Sequence, residues 1–337
     1  FMAEVFRRVL GRELPLPLPR LTYNESMRRY GTDKPDTRFA MELIDLTDTV
    51  RDCGFGVFSS AAQGGGAVGC ITAENGVSAL SRKEIDKLTE YVRGIGAKGL
   101  AWVRWTAEGI SSSFGKFLSE TEMEALLTQA GAKPGDVVLI VAGPVKKAVQ
   151  TTLGALRLEV AERLEIPREG YNLLWITEMP FFEWDEELGE WVAMHHPFTA
   201  PLDECIPYLD SEPGRVYAKA YDLVLNGIEL SSGSIRITDP ELQSHIFRAL
   251  HLTEEEAKRK FGHLLEAFRY GAPPHGGMGI GLDRLAMQLI GAASLRDVLA
   301  FPKVQNMTEL MTSCPSPADP AQLEELGLRL VSEENKT

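Results

Sequence analysis

The chain has 337 residues and a formal net charge of −13 at pH 7, and this length suggests two or three domains rather than one. The acidic excess argues weakly against non-specific nucleic-acid binding, although a local basic cleft is compatible with it. No run of about eighteen apolar residues occurs, so no membrane-spanning helix is expected. The cysteines, sparse for a disulfide scaffold and without metal-ligand spacing, favour a reducing cytoplasm: Cys53, Cys70, Cys205 and Cys314.

Residues 1–30 are predicted to form a helix, an extended proline-rich connector and a second short helix. The opening FMAEVFRRVLGRE interleaves arginines with apolar residues, which indicates an amphipathic helix rather than a signal peptide. Because the pattern resembles the middle of a helix, we expect a segment to precede it. Thr22 or Asn24 is the predicted cap of the short helix.

Residues 48–144 are predicted to form a self-contained α+β unit. The stretch 80–96 has the spacing of an amphipathic helix with Ile85, Leu88 and Val92 on one face. Apolar runs bounded by turn residues indicate strands on either side of it. The predicted strands lie within 54–60, 66–73, 99–106 and 133–144.

From residue 145 onward the pattern predicts an antiparallel sheet with helices on one side. A long helix is predicted over 145–166, with Leu153, Leu156, Leu158 and Val160 in its apolar set. Strands connected by short segments follow, and helices are grouped after them. The predicted strands are 172–182, 190–201 and 216–237, and the predicted helices are 240–251 and 253–271.

The stretch YDLVLNGIELSSGSIRI, residues 221–237, places charged side chains inside two apolar strands. Asn226-Gly227 is a strong hairpin signal. Because strands alternate faces, Arg236 points away from Ile235 and Ile237 if these isoleucines are in the core. Two interpretations stay open. Either this is an ordinary polar sheet face, or Arg236 binds a carboxylate while Glu229 helps to hold a metal-bound phosphate.

The stretch AMHHPFTAP, residues 193–201, carries adjacent histidines that would point opposite ways on a strand. Zinc is discounted because no further ligands stand at workable spacing. One histidine is expected to be packed and the other to donate to a ligand, with simple surface packing as the alternative.

The glycine-rich run HGGMGIG is predicted to be extended and to lead into a helix from Leu282, with Leu285, Leu289 and Ile290 also in its apolar set. Arg284 falls in the first turn. A cation there is unfavourable for the helix dipole unless an anion is bound, which points to a ligand such as a polyphosphate. A solvated arginine is the alternative.

These stretches resemble the C-terminal half of bacterial aspartyl-tRNA synthetases, and YGTDKPDTRF, residues 30–39, resembles the segment that leads into that family's inserted domain. The unit 48–144 resembles the insertion itself, the GAD domain, also found in a subunit of the tRNA-dependent amidotransferase. The resemblance implies a class II catalytic domain of α+β fold, an antiparallel sheet flanked by helices. It divides the chain into an N-terminal catalytic remnant with its connector, the insertion, and the catalytic part with motif 3: 1–47, 48–144 and 145–337.

The resemblance also implies an activity and its site. The family activates L-aspartate with ATP and Mg²⁺ and transfers it to tRNA(Asp); whether tRNA(Asn) is charged too stays open. By motif, His195 and Arg236 bind aspartate, Glu229 binds ATP and its Mg²⁺, and Asp222 lies near the metal or the ligand. The ATP-binding motif 3 corresponds to Gly281, Leu282, Asp283 and Arg284, with Arg284 on the phosphates.

Two departures from the family pattern stand out. Ser231 and Ser232 occupy positions that are often glycine. The anticodon-binding barrel, the dimer-forming motif 1 and the ATP-binding motif 2 have no counterpart in this sequence, so we expect a truncated chain that does not aminoacylate alone and whose intact form is a homodimer. The alternatives are a non-catalytic tRNA- or protein-binding module that retains a pocket, and an ammonia-type asparagine synthetase, against which the insertion argues.

Overall fold

Two five-stranded sheets organise the described residues, 1–329, of the computed structural model. Residues 330–337, the end of the predicted region 145–337, lie outside the described residues. The helices are α1 Met2–Leu10, α2 Tyr23–Tyr30, α3 Gly56–Gln63, α4 Arg82–Gly94, α5 Glu120–Gln129, α6 Lys146–Arg163, α7 Pro240–Ala249, α8 Glu254–Phe268, α9 Leu282–Ile290 and α10 Pro320–Glu325. The strands are β1 Arg20–Thr22, β2 Ile44–Asp45, β3 Ala67–Ala73, β4 Ala101–Thr106, β5 Gly109–Ser112, β6 Val137–Gly143, β7 Leu173–Pro180, β8 Phe182–Asp185, β9 Glu190–Ala193, β10 Tyr217–Leu225, β11 Ile228–Ile235 and β12 Gly276–Ile280.

The first sheet has the strand order β1-β7-β10-β11-β12 and is antiparallel except for the β1–β7 pair. Helix α2 begins after Thr22, whose hydroxyl accepts a hydrogen bond from the Glu25 amide at 3.1 Å, so the predicted Thr22 cap is confirmed. Tyr23 and Met27 of α2 pack on the core of this sheet. The predicted α+β class with an antiparallel sheet flanked by helices is confirmed.

The second sheet, in the order β2-β3-β6-β4-β5, is antiparallel and has helices on both faces. Helices α4 and α6 cover one face, and α3 and α5 cover the other. The predicted helical face of Ile85, Leu88 and Val92 is buried against this sheet. The assignment of residues 48–144 as an inserted domain stays a prediction.

Helix α6 joins the two sheets through direct backbone contact with the end of α2. A Cβ atom built on Gly31 would lie 2.0 Å from the Gln150 carbonyl oxygen, and one on Gly154 would lie 2.7 Å from the Tyr30 carbonyl oxygen. Gly31 also has φ +68°, so glycine is required there for two reasons. The chain therefore leaves α2 held tightly against α6.

Two local predictions in the second sheet and α6 are wrong in detail. Residues 56–63 form helix α3 rather than a strand, because Phe58 and Ala62, four residues apart, are both buried, and Phe58 packs on the second sheet. Leu158 is 41% exposed, because α6 buries the stripe that contains Leu156 and Val160 instead. Among the described residues, no helix is long and apolar enough to cross a membrane.

Residues 281–329 form a second compact unit, described by itself. It begins with α9, where Leu285 and Met287 are buried. Leu282 and Ile290 are 73% and 68% exposed, contrary to the predicted apolar set, because they are the first and last residues of the helix.

Candidate functional site

The hairpin formed by β10 and β11 is the framework of the candidate site. Asn226 and Gly227 have φ of 53° and 85°, the left-handed pair that a tight hairpin turn requires. The Asn226 side chain anchors the turn by accepting from the Asn172 amide at 2.9 Å and donating to the Gly170 carbonyl at 3.0 Å. The predicted hairpin is confirmed.

The register of this hairpin brings the predicted acidic residues to one face of the sheet. Asp222 pairs with Ser232, and directly opposite residues share a face. Glu229 pairs with Val224, which lies two residues after Asp222 and therefore on the same face. A β-bulge between Leu223 and Val224 accounts for this register. Asp222 and Glu229 are therefore neighbours.

Arg236 extends the same face beyond the end of β11. Alternation from Ser232 places Ser234 and Arg236 on the Asp222 side. The Arg236 amide donates to the His275 carbonyl at 3.0 Å, and the Thr199 hydroxyl donates to the Ser234 hydroxyl at 3.3 Å. Strand alternation thus assigns Arg236 to the face of the two carboxylates, an arrangement that fits a bound group with both an acid and a metal-neutralised phosphate.

Ile235 and Ile237, the two isoleucines that flank Arg236, differ in burial. Ile237 is buried as predicted, but Ile235 is 42% exposed, which corrects the expectation that both are in the core. Ile235 pairs with Gly276 of β12, which has no side chain to cover it.

Asp222 is the most perturbed acid of the site. Only 7% of this residue is exposed, and burial raises the pKa of its carboxyl to about 6. A hydrogen bond from Ser232 opposes the increase in pKa, whereas the negative charges of Glu229 and Asp33 add to it. The Asp222 carboxyl is therefore partly protonated just below neutral pH unless a cation binds next to it.

His195 and His196 lie in the bend after β9, not on a strand, because β9 ends at Ala193. Burial lowers the pKa of His195, with Glu183 opposing it, so His195 is neutral near pH 7. Its buried Nε2 has no hydrogen-bond partner within residues 1–329. A buried polar atom without a partner carries a free-energy cost that a bound ligand can relieve. This geometry is compatible with the ligand-contacting role implied for His195.

His196 differs from His195 in its surroundings. Its Nδ1 accepts a hydrogen bond from the Phe198 amide at 3.3 Å. Burial and the nearby charge of Arg236 lower its pKa. Phe198 is itself held edge-to-face by Phe247 of α7 and Phe261 of α8. Helices α7 and α8 therefore position the histidine segment beside Arg236.

Sequence reasoning missed charged residues in the loop after α2. Asp33 and Lys34 act electrostatically on Asp222. Burial raises the pKa of Tyr23, and the negative charges of Asp33 and Glu183 raise it further. The signal was present in YGTDKPDTRF, where charged residues stand in a Gly/Pro turn, but the sequence alone does not say which strand this loop approaches.

The motif 3 residues belong to the second unit. Gly281 precedes α9 and provides no side-chain cap, so amides of the first turn are left to other acceptors. Asp283 and Arg284 are exposed in that turn. The interpretation that Arg284 binds ATP phosphates stays a prediction.

The carboxylates of the candidate site suit Mg²⁺ only together with a phosphate ligand. Within residues 1–329 no group of three or more metal-ligating side chains comes together. Mg²⁺ in nucleotide sites is held by one or two carboxylates, phosphate oxygens and water. Asp222 and Glu229 can supply those carboxylates.

The class of protein follows from the comparison with known families. Residues 1–305 match the family described as tRNA synthetases class II (D, K and N), so the chain belongs to this family. Its relatives include the aspartate–tRNA ligase of Ruminiclostridium cellulolyticum, 51% identical over 99% of this chain and 56% of that protein. The aspartate–tRNA(Asp/Asn) ligases of Anoxybacillus flavithermus and Geotalea uraniireducens are 48% and 50% identical, each over 98% of this chain and 56% of the relative. The chain spans about half the length of these curated relatives.

Replacing Asp222 with asparagine is expected to stabilise the protein above pH 6. The folded-state pKa of about 6 exceeds the value of 3.8 taken for an unperturbed Asp, so the native state binds more protons between these values and its stability falls as pH rises through them. Allowing for solvent screening, Asp222→Asn should gain about 1–2 kcal/mol at pH 7.5 and nothing near pH 4. Urea unfolding across this pH range measures the difference. The exposed Asp86→Asn on α4 is the control, and a gain independent of pH would contradict the assignment.

Replacing Ser232 with alanine is expected to raise the pKa of Asp222 further above 6, because the hydroxyl that stabilises the carboxylate is lost. Ser231→Ala is the matched control, since its side chain points to the opposite face. A ¹³C NMR titration of the aspartate carboxyls, assigned with Asp222→Asn, measures both. Equal pKa values in the two variants would refute the contact.

Proposed function

We propose that the chain forms part of an aspartate–tRNA ligase that activates L-aspartate with ATP and transfers it to tRNA(Asp). The observation that carries the proposal is the common sheet face of Arg236, Asp222 and Glu229 in a member of the class II family. Three relatives, 48–51% identical over the aligned 56% of their length, bear the name aspartate–tRNA ligase, two of them for tRNA(Asp/Asn).

In the proposed reaction the α-carboxylate of aspartate attacks the α-phosphorus of ATP, and pyrophosphate leaves. A hydroxyl of the terminal adenosine of tRNA then attacks the acyl carbon, and AMP leaves. Both partners of the first step are anions, so positive groups must hold them together. Arg236 would grip the side-chain carboxylate, and the neutral imidazole of His195 would contact the amino acid.

Asp222 and Glu229 would hold Mg²⁺ with the ATP phosphates, and the ion would supply positive charge against the charge that develops on them. Gly281, Leu282 and Asp283 would form the ATP-binding start of α9, with Arg284 on the phosphates. The four cysteines are free thiols, in keeping with a reducing cytoplasm. We propose a homodimer for the intact enzyme and a GAD insertion for residues 48–144, and no aminoacylation by this chain alone.

Calorimetry with a stable aspartyl-adenylate mimic tests the proposal on the chain itself. We expect the mimic to bind at least about 100-fold more tightly than its asparaginyl counterpart, because a guanidinium fork matches an acid and not an amide. Equal affinities would refute aspartate selection. Undetectable binding of both would contradict an adenylate pocket in this chain, and with it both the proposal and a non-catalytic module that retains such a pocket.

A further inference from the structure

A groove of about 920 Å³ opens between the β4–β5 hairpin and helix α5 in the second sheet. It lies outside the proposed aminoacylation site. Its lining combines apolar side chains with serine, threonine and glutamate, and Ile110 in this lining is 46% exposed. The large apolar residues in the lining are Trp105, Ile110, Leu118, Met123 and Leu127.

The backbone of β5 offers unpaired hydrogen-bonding groups beside this groove. The Trp105 amide donates to the Asp136 carbonyl at 3.0 Å, and its carbonyl accepts from the Gly135 amide at 2.7 Å, so both point away from β5. Trp105 pairs with Ile110, which makes this a non-hydrogen-bonded pair. The amide and carbonyl of Ile110 therefore point out of the sheet, and those of Ser112, two residues on, do the same. Strand β5 lies at one of the two edges of the second sheet, opposite β2.

The side chains of this edge face the groove as well. Ile110 and Ser112 both line it, and the buried Ser112 hydroxyl has no hydrogen-bond partner within residues 1–329. Backbone groups at the edge and a pocket for alternate side chains are the two features by which an exposed strand recruits an extended peptide.

The charge of the groove selects among ligands. The charged residues in its lining are Glu120 and Glu124, one turn apart on α5, and the lining contains no Lys, Arg or His. Two carboxylates repel a phosphate backbone and attract ammonium or guanidinium groups. This argues against a polynucleotide as the occupant and for a basic one.

We propose that this groove binds an extended polypeptide segment of alternating apolar and basic residues, which adds a strand beside β5. Residues of the segment that face α5 insert between Trp105 and Met123. Basic residues of the segment that lie near the N-terminal turn of α5 pair with Glu120 and Glu124. The segment belongs to a partner protein, and this surface is separate from the proposed aspartate site, so either assignment can fail without the other.

The test uses the whole chain and fluorescein-labelled nonapeptides of alternating lysine and valine. Anisotropy at low salt should give saturable binding, and the peptide with glutamate in place of lysine should bind at least about tenfold more weakly. The double variant Glu120→Gln with Glu124→Gln should weaken lysine-peptide binding by about tenfold. Its matched control is Asp86→Asn with Glu90→Gln, two exposed carboxylates with the same spacing on α4.

A second probe tests strand addition itself. A lysine–valine peptide that is N-methylated at alternate residues has no amide donors along one of its edges. When the methylated edge is the one that faces β5, the peptide should bind about tenfold more weakly. Amide NMR signals of Ile110 and Ser112 should shift on titration. Equal binding of the lysine and glutamate peptides, no binding of either, or shifts that avoid β5 would overturn the proposal. So would light scattering that shows a dimer with protected β5 amides, since a second copy would then fill the groove.

Discussion

Replacing Arg236 with leucine is expected to weaken binding of the aspartyl-adenylate mimic by at least about 100-fold, because an acid left in the site without its cation loses a charge-assisted pair. The asparaginyl mimic should lose little, so the preference for the acid should disappear. Calorimetry of both mimics with both proteins measures this. In a protein that also contains the parts of the relatives beyond this chain, aspartate-dependent pyrophosphate exchange should be abolished.

Two further variants separate geometry from charge in this prediction. Arg236→Lys keeps a positive charge but not the planar fork, so it should recover only part of the lost affinity. Arg248→Leu, an exposed arginine on α7, should leave binding unchanged. Near-normal binding of the aspartyl mimic by Arg236→Leu would contradict the role of Arg236, even if the fold and the family assignment stand.

Hydrophobic periodicity in the sequence correctly predicted the helices and strands in which buried residues recur at one constant spacing. The helix α4 shows three apolar residues on one face and is buried there, and the Asn226-Gly227 hairpin follows from the left-handed turn that this pair favours. The same reasoning failed at α3, whose apolar residues are too few to separate a period of two from one of 3.6. Only the second sheet, which packs on Phe58, decides the helix there.

The candidate site shows the same division between local and long-range information. Alternation placed Arg236 opposite the buried Ile237, but the bulge near Val224 that brings Glu229 beside Asp222 leaves no mark in the sequence. Likewise, the approach of Asp33 and Lys34 to Asp222 depends on how the loop after α2 is held. That loop is anchored by a residue more than a hundred positions further along, Arg157.

Replacing Arg157 with leucine is expected to cost about 3–5 kcal/mol of stability. Only 1% of Arg157 is exposed, and burial lowers the pKa of its guanidinium to about 10. Its Nη2 donates to the carbonyls of Asp36 at 3.0 Å and Phe39 at 2.9 Å, and its Nε donates to the carbonyl of Met41 at 2.9 Å. Leucine can fill the space but leaves these buried acceptors without a donor, and that loss exceeds the relief from burying one charge less.

The Arg157→Leu substitution should also affect the candidate site. Arg157 holds residues 36–41 in place and thereby the preceding turn, which contains Asp33 and Lys34. Differential scanning calorimetry should show a lower Tm for Arg157→Leu, and proteolysis should cut residues 31–41 faster. Lys146→Leu, an exposed site on the same helix, should change the stability by no more than about 0.5 kcal/mol. If Arg157→Leu matched this control, the carbonyls would have found other donors, and the loop would be held by the contact of Gly31 with Gln150 instead.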